Sequence, residues 1–488
     1  MTRTRAAIAL GMIATAIATI AGQSTVDERI RRIENGLVPP VILKGQPIPT
    51  STLEARMREL KTPGASIAVF ENGRIAWARG WGMADVADGR RVDPETRFQA
   101  ASISKPVAAA VALALVSRGR MSLDEDINTY LTSWKLPDNE FTAKQKVTLR
   151  RLLSHTGGVT VSGFPGYASS AEVPTLVQIL DGVKPANTPA VRVDIPVGSR
   201  WRYAGGGFEI VQLAIEDVTK KPFVETAREL VLEPIGMSHS TFVQPIPAAH
   251  RNKAATAYRA SGDPIPGRFH TYPEQAAAGL WTTPEDLARF AIAVEQMVSG
   301  KLPRPVMSRE LATQMLKPVL NDYGLGLEVT GGGPETRFGH GGSNAGFRCL
   351  LTAFKETASG VVVMVNSDGG GPLLQPVVRA VAREYGWLGL APIERTLGTA
   401  DPSTYAEFAG RYEIPVRSPP VILLVETDGG KLIADAGGTR LELLPESATA
   451  FFALSADVRI EFVRDLSGKV TEARVWQGNA EQRAHRIQ

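Results

Sequence analysis

A long apolar helix is predicted to begin at Ser102-Ile103-Ser104-Lys105 and to continue through an Ala-, Val- and Leu-rich run to Ser117. Residues three apart lie on one face of a helix, so the Ser102 hydroxyl and the Lys105 amine can converge. A serine becomes a nucleophile when a base removes its proton, and a desolvated lysine can be that base. A helix-capping serine beside a solvated lysine would give the same pattern, so the pair alone leaves both interpretations open.

A second candidate is Tyr203, which stands before Gly205-Gly206-Gly207 and a helix predicted over residues 207–219. Glycine-rich backbone lets a substrate approach closely, and a phenol can relay a proton between a nucleophile and a leaving group. A tyrosine that merely packs before a glycine turn is the alternative interpretation.

A third candidate is His340 in Gly339-His340-Gly341-Gly342-Ser343-Asn344, ahead of a strand predicted over residues 347–354. Glycines at a strand edge expose backbone N–H groups, as an oxyanion hole requires. His340 is a candidate for a switchable positive charge near the site. A structural histidine in a turn is the alternative interpretation, although the neighbouring glycines leave this imidazole little core to pack into.

The rest of the first part of the chain mixes strands and helices. Asn72-Gly73 between two apolar runs predicts a hairpin over residues 65–82, and Thr283-Pro284 predicts a helix start. A further strand is predicted over residues 360–366, whereas residues 160–200 indicate a long loop or lid. The fold class is therefore α/β of the α+β type, with helices flanking an antiparallel sheet.

The chain changes character after a Pro-, Gly- and Thr-rich stretch near residues 389–403. Six short strand-like runs separated by turns follow, and they predict a small antiparallel all-β domain, either a sandwich or a barrel. The predicted organisation is a signal peptide at 1–21, a main domain at 22–388, a linker at 389–403 and the all-β domain at 404–488.

The first residues resemble a secretory signal, since Arg3 and Arg5 precede an apolar stretch over residues 6–20 and then small residues. That stretch is short for a membrane span, which favours a cleaved signal, and an uncleaved anchor is the alternative interpretation. No later segment is apolar enough to span a bilayer. The protein is expected to be exported, periplasmic or secreted, with no membrane span after cleavage of the signal.

Composition excludes several classes of partner. The 54 basic and 50 acidic residues are scattered, with no basic run interleaved with aromatics, so nucleic acid is not expected to bind. The six histidines show no metal-ligand spacing, and we expect no metal and no cofactor. The single cysteine, Cys349, excludes an internal disulfide and is expected to be a packed thiol in a core strand.

Taken in order, Ser102-x-x-Lys105, Tyr203 before Gly-Gly and His340-Gly341-Gly342 resemble the serine β-lactamase and penicillin-binding-protein superfamily. The resemblance covers about residues 55–385 and is strongest to the class C-like branch, which includes family VIII carboxylesterases and D-amino-acid peptidases. The all-β tail resembles the lipocalin-like domains appended to some members.

The resemblance implies a role for each matching residue. Ser102 would be the acylated nucleophile, Lys105 its base or proton relay, and Tyr203 the group that protonates the leaving group and activates the deacylating water. Backbone N–H groups of Ser102 and Ser343 would form the oxyanion hole. The residues implied to line the substrate site are His340, Gly341 and Gly342.

Two departures from the family pattern bear on the substrate. Gly205 stands where an asparagine would hold a substrate amide, and His340 stands where a lysine would hold a substrate carboxylate. Both favour a carboxylesterase acting on small esters, with a wide acyl pocket beside Gly205. The alternatives are a D-amino-acid peptidase or weak β-lactamase acting on amides, and a penicillin-binding-like protein with little turnover. His155 is interpreted as structural, capping a turn through its ring nitrogens.

Overall fold

The computed structural model describes residues 26–415, 420–436, 439–478 and 480–487. The predicted signal segment at 1–21 lies outside the described residues. Contacts divide the chain into two compact units, one of residues 54–374 and one that joins the residues up to Leu53 with those from Gln375 onward. The predicted domain limits differ from this division and stay a prediction.

The larger unit is built on a seven-stranded sheet in which every pair of neighbours is antiparallel. Numbering strands along the whole chain, its order is β4-β3-β2-β10-β9-β8-β7. The strands are β2 (Gly64–Glu71), β3 (Arg74–Asp85), β4 (Arg90–Arg91), β7 (Glu328–Thr330), β8 (Arg337–Asn344), β9 (Phe347–Phe354) and β10 (Ser359–Val365). β5 (Phe98–Gln99) and β6 (Trp281–Thr282) form a separate pair, and β5 shortly precedes the predicted nucleophile in sequence.

The predicted hairpin is confirmed as β2 and β3. Asn72 and Gly73 connect the two strands with φ values of 50° and 74°, which asparagine and glycine tolerate better than other residues. β2 lies between β3 and β10, so seven of its eight residues are buried. The continuous apolar run is explained by burial on both faces.

The helices of both units are numbered α1 to α13 along the chain. They are α1 (residues 26–34), α2 (Leu53–Glu59), α3 (Ser104–Ser117), α4 (Leu149–Leu153), α5 (Leu176–Asp181), α6 (Gly205–Thr219), α7 (Phe223–Ala227), α8 (Ala248–Arg251), α9 (Gln275–Ala278), α10 (Pro284–Ser299), α11 (Arg309–Met315), α12 (Gly371–Tyr385) and α13 (Tyr405–Phe408).

The helix at the centre of the larger unit, α3, is buried along twelve consecutive residues from Ser104 to Leu115. Its small Ala and Val side chains let neighbouring elements pack all round it, which is typical of a core helix. The prediction placed its start at Ser102. In the structure a 3₁₀ turn, Ala101–Ile103, carries Ser102, and the α-helix begins at Ser104.

The other sequence predictions for this unit hold in outline. Thr283 caps α10 by accepting a hydrogen bond from the Asp286 N–H, with Pro284 in the first turn. The segment 160–200 is mostly irregular, as expected, but contains the short helix α5, which begins in a capping box formed by Thr175 and Gln178.

The smaller unit contains a closed eight-stranded antiparallel barrel, so the barrel alternative is confirmed over the sandwich. Its strands are β12 (Gly410–Ile414), β13 (Val421–Asp428), β14 (Lys431–Ala436), β15 (Thr439–Pro445), β16 (Ala450–Ala453), β17 (Val458–Arg464), β18 (Val470–Gln477) and β19 (Ala480–Arg486). Phe408, Phe451 and Phe462 meet in its core, with the rings of Phe408 and Phe462 stacked 4.6 Å apart. In the same unit, β1 (Val41–Leu43) pairs in parallel with β11 (Ile393–Arg395), inside the predicted linker.

The predicted α+β class with an added all-β domain is confirmed. In the described ranges, no helix is both long and apolar enough to cross a membrane.

Candidate active site

The predicted nucleophile follows a strained turn. Ala101 is fully buried and has a φ of 49°, a left-handed conformation that residues with a Cβ rarely adopt. Ala100 anchors the turn, since its N–H donates to the Leu280 carbonyl at 2.8 Å. Ser102 follows with its side chain partly exposed. Surrounding contacts stabilise the strained turn. The turn places the Ser102 hydroxyl at the surface of a helix start that is otherwise buried.

The structure brings Ser102 and Lys105 together. The Lys105 Nζ donates to the Ser102 Oγ at 3.1 Å and to the Ala277 carbonyl at 2.9 Å. Lys105 is only 1% exposed, so the interpretation of a solvated lysine is wrong. Its Nζ also lies 4.9 Å from the centroid of the Tyr203 ring. A buried amine in direct contact with a serine hydroxyl is placed to exchange a proton with it.

Two buried carboxyl groups, absent from the sequence prediction, lie behind Lys105. The Glu209 Oε1 accepts the Ala277 N–H at 3.1 Å, and the carbonyl of the same Ala277 accepts from Lys105. Burial, together with the neighbouring Glu274, raises the pKa of Glu209 well above its usual range. Burial likewise raises the pKa of Glu274 to about 8. Glu274 is therefore mainly protonated near neutral pH, and Glu209 binds the N–H of the residue whose carbonyl accepts from Lys105.

Tyr203 belongs to a cluster of aromatic rings beside the lysine. The rings of His155 and Tyr203 lie 4.4 Å apart, and those of His155 and Tyr323 lie 4.8 Å apart. The His155 Nδ1 accepts the Ala204 N–H at 3.1 Å, whereas no donor or acceptor in the described chain meets its Nε2. His155 thus caps the turn through one ring nitrogen, not through both as expected, and its ring packs against the Tyr203 ring.

The expected switchable charge on His340 is wrong. The side chain is 4% exposed, and burial followed by the nearby Lys105 lowers the pKa of His340 to about 3. Its Nε2 lies 3.1 Å from the Tyr323 hydroxyl, and its Nδ1 lies 2.5 Å from the Gly341 carbonyl oxygen. The neighbouring glycines did not leave the ring in solvent, because Tyr323 and Tyr203 pack against it. His340 is neutral at physiological pH.

The end of β8 runs directly past the nucleophile turn. A Cβ added to Gly342 would lie 2.4 Å from the Ala100 carbonyl oxygen and 2.3 Å from the Cys349 Sγ. Only glycine lets the strand approach this closely, and the approach places Ser343 beside the turn that carries Ser102. The oxyanion-hole role of the Ser102 and Ser343 N–H groups and the substrate contacts of His340, Gly341 and Gly342 stay predictions.

Cys349 is buried as expected. Its Sγ lies 3.0 Å from the Ala100 carbonyl oxygen, and burial raises the pKa of its thiol. A packed thiol of this kind is inert at neutral pH. In the part of the chain that the structure describes, no group of three or more His, Cys, Asp and Glu side chains is placed to hold a metal ion.

An antiparallel sheet flanked by helices, with a Ser-x-x-Lys pair at the start of a buried helix, is the arrangement typical of β-lactamase-like proteins. A family model described as Beta-lactamase matches residues 50–384, and the chain belongs to that family.

Relatives in the family differ in the substrates that their names indicate. The chain is 25% identical over 333 residues to a D-aminopeptidase of Brucella anthropi, covering 66% of this chain and 60% of that protein. It is 28% identical over 231 residues to esterase EstB of Burkholderia gladioli, covering 45% of this chain and 56% of that protein. The match thus spans less than two thirds of either relative.

The fold is also found among solved structures. The octameric penicillin-binding protein homologue from Pyrococcus abyssi superposes with a TM-score of 0.59 at 23% identity, covering 88% of this chain and 99% of that chain. At that identity the likeness concerns the fold alone.

Proposed function

We propose that the protein is an exported carboxylesterase that hydrolyses small esters through an acyl-enzyme on Ser102. The observation that carries the proposal is the 3.1 Å contact between the Lys105 Nζ and the Ser102 Oγ, with the lysine withdrawn from solvent. In the described chain Lys105 makes no ion pair within 4.0 Å. No carboxylate therefore competes with the Ser102 hydroxyl for contact with the Lys105 nitrogen.

The reaction has two half-reactions. In acylation, Lys105 in its neutral form accepts the Ser102 proton as the Oγ bonds to the ester carbonyl carbon, and the alcohol leaves after it receives a proton through Tyr203. In deacylation, water gives up a proton to the same groups and attacks the acyl carbon, which releases a carboxylic acid and restores the Ser102 hydroxyl. Backbone N–H groups at Ser102 and Ser343 would stabilise the oxyanion in each step.

Two features favour an ester over a D-peptide or a β-lactam. Position 205 carries no side chain that could hold an amide. The buried, neutral His340 offers no cation to a substrate carboxylate, which cell-wall peptides and β-lactams carry. The 25% identity to a D-aminopeptidase keeps amide hydrolysis as the second candidate function.

The test is intact-mass spectrometry of the purified protein mixed separately with a p-nitrophenyl short-chain ester, nitrocefin and a D-alanyl peptide, with product followed in parallel. We expect ester turnover, an acyl adduct on Ser102 and little nitrocefin hydrolysis. Ser102→Ala should lose both adduct and turnover completely, whereas Ser199→Ala, at an exposed serine outside the site, should keep both. Normal turnover in Ser102→Ala would overturn the proposal. Turnover of the peptide alone would move the protein to the second candidate.

A further inference from the structure

A phenylalanine from the irregular segment 160–200 occupies the space above Gly205. A Cβ added to Gly205 would lie 2.9 Å from the Phe164 Cε2 and 3.1 Å from the Ser162 carbonyl oxygen. The Phe164 ring is half-buried and packs against the core of the larger unit. Gly205 stands two residues after Tyr203, and the space beside it, expected to be a wide pocket, is therefore bounded by the Phe164 ring.

Backbone contacts hold this ring in place from one side. The Gly205 N–H donates to the Ser162 carbonyl at 3.1 Å, and the Gly206 N–H donates to the Val161 carbonyl at 2.9 Å. Val161 has a φ of 64°, a conformation that a β-branched residue adopts only when its surroundings impose it. The segment is thus bound to the glycine turn at the start of α6.

Contacts on the other side connect the segment to the end of β8. The Tyr272 hydroxyl donates to the Pro165 carbonyl at 3.2 Å and accepts the Ala345 N–H at 2.9 Å. Tyr167 and Thr271 exchange two backbone hydrogen bonds of 2.8 Å each. Phe164 therefore lies between anchored residues, in a segment that is hydrogen-bonded to the glycine turn after Tyr203 and, through Tyr272, to Ala345 at the end of β8.

We propose that Phe164 forms the wall against which the acyl group of the substrate lies, and that it selects esters with apolar acyl chains of several carbons. The inference rests on the proposed esterase function. The acyl group stays on Ser102 through both half-reactions, so it is the part of the substrate that benefits from a wall held in place. Burying the CH₂ groups of an acyl chain against an aromatic ring is favourable, whereas the ring has no hydrogen-bonding group for a substrate amide.

The experiment measures kcat/KM for p-nitrophenyl acetate, butanoate, hexanoate and octanoate with wild-type enzyme, Phe164→Leu and Phe164→Ala. One buried CH₂ is worth about fourfold in kcat/KM. In wild type, kcat/KM should rise from acetate to hexanoate. Phe164→Ala should lower kcat/KM for hexanoate by about tenfold or more while acetate changes by less than about threefold, with Phe164→Leu in between. Phe141→Ala, at a half-buried phenylalanine whose carbonyl contacts Val197, should leave the profile unchanged.

Two outcomes would overturn the inference. These are a Phe164→Ala enzyme with the same acyl-chain profile as wild type, or an effect confined to a second series in which the acyl group is constant and the alcohol varies. Either result leaves the proposed function standing, because ester turnover and the Ser102 adduct persist. Absence of turnover and adduct with every ester, in wild type as well, would instead reject the proposed function.

A measurement that does not depend on activity tests the contact itself. Gly205→Ala should lower the melting temperature in wild type because its Cβ meets the Phe164 ring, and it should lower it less in a Phe164→Ala background. Equal decreases in both backgrounds would show that the ring does not occupy this space.

Discussion

The environment of Lys105 is unusual for a charged side chain, because the groups around it carry little opposite charge. The neutral ring of His340, the face of Tyr203 and the Ala277 carbonyl lie around the amine. Among the described residues no carboxylate forms an ion pair with it, and the side chain that it contacts by a hydrogen bond is Ser102. A buried lysine in contact with a serine hydroxyl is placed to act as the base of that serine.

At the residue scale, the hydroxyl of Tyr203 is predicted to act in proton transfer. Tyr203→Phe should lower kcat by about 100-fold or more and change KM by less than about threefold, since general acid–base groups contribute on the order of 10² to 10⁴. Steady-state kinetics with the p-nitrophenyl ester measures both constants.

The matched control is Tyr323→Phe, which removes a hydroxyl from the neighbouring ring that contacts His340. It should stay within about tenfold of wild type, because a positioning contact contributes less than a proton-transfer group. Equal losses in the two variants would contradict a proton-transfer role for Tyr203.

The sequence identified the residues that carry a recognisable spacing and missed those that act through burial. Ser102, Lys105 and Tyr203 stand in short motifs, and the structure groups them. Glu209 and Glu274 have no motif. Glu209 is an acidic residue inside an apolar stretch, Phe208-Glu209-Ile210, and that was the available signal, whereas Glu274 between Pro273 and Gln275 gives none. His340 was misjudged because the number of flanking glycines does not reveal which distant rings cover a side chain.

At the element scale, the close approach of β8 to the turn at Ala100 and Ala101 depends on Gly342. Gly342→Ala should destabilise the larger unit by about 1–3 kcal/mol, since its Cβ would meet the Ala100 carbonyl oxygen and the Cys349 Sγ. Urea unfolding followed by tryptophan fluorescence measures the change.

The neighbouring glycine provides the control. A Cβ on Gly341 would meet only the Cys349 carbonyl oxygen, at 4.0 Å, so Gly341→Ala should change stability by less than about 0.5 kcal/mol. If the two substitutions cost the same, the strand does not depend on a close approach at Gly342.

Strands with a clear pattern and clear turns were predicted, and those without were missed. Four of the six strand-like runs, at residues 421–427, 431–434, 458–463 and 470–476, match the barrel strands β13, β14, β17 and β18 within two residues at each end. β16 is four buried residues without alternation, and β19 is largely polar, so neither has the usual sequence signature of a strand. Pairing with neighbouring strands, which no local pattern encodes, stabilises both as strands.

At the scale of the whole molecule, buried ionisable groups set how stability varies with pH. The pKa of Glu274 rises from 4.5 to about 8 on folding, so between these values the unfolded chain is ionised there and the folded protein is not. The contribution of Glu274 to the free energy of unfolding is therefore fully present below about pH 4.5. It is lost as pH rises toward 8, by about 1.4 kcal/mol per pH unit. Burial also raises the pKa of Glu209, so its ionisation likewise lowers the free energy of unfolding as pH rises.

Buried histidines act on the acid side. His340 and His155 have pKa values well below 6.5 in the folded protein, so the unfolded chain gains protons first as pH falls below 6.5 and stability decreases. Between about pH 4.5 and 6.5 the histidines raise stability with rising pH and the buried carboxyl groups lower it. Above that range the carboxyl groups determine how stability changes with pH.

Glu274→Gln is predicted to flatten the alkaline limb of this profile. Between pH 6.5 and 8, the free energy of unfolding of the variant should fall less steeply than that of wild type, by about 1.4 kcal/mol per pH unit. Urea titrations at four pH values across this range measure the two slopes. Parallel slopes would mean that Glu274 ionises as readily in the folded protein as in the unfolded chain.

Closure of the barrel has a consequence for solubility. β12 pairs with β19, so the first and last strands satisfy each other's backbone groups at Tyr412 with Arg486 and at Glu413 with His485. Open sheets present a row of unpaired N–H and C=O groups that recruits strands from other molecules and seeds aggregation. Among its described strands this barrel has no unpaired edge to which another molecule could add a strand. Its exposed faces can carry polar residues, such as those of β19, and it needs no further protection against edge-to-edge association.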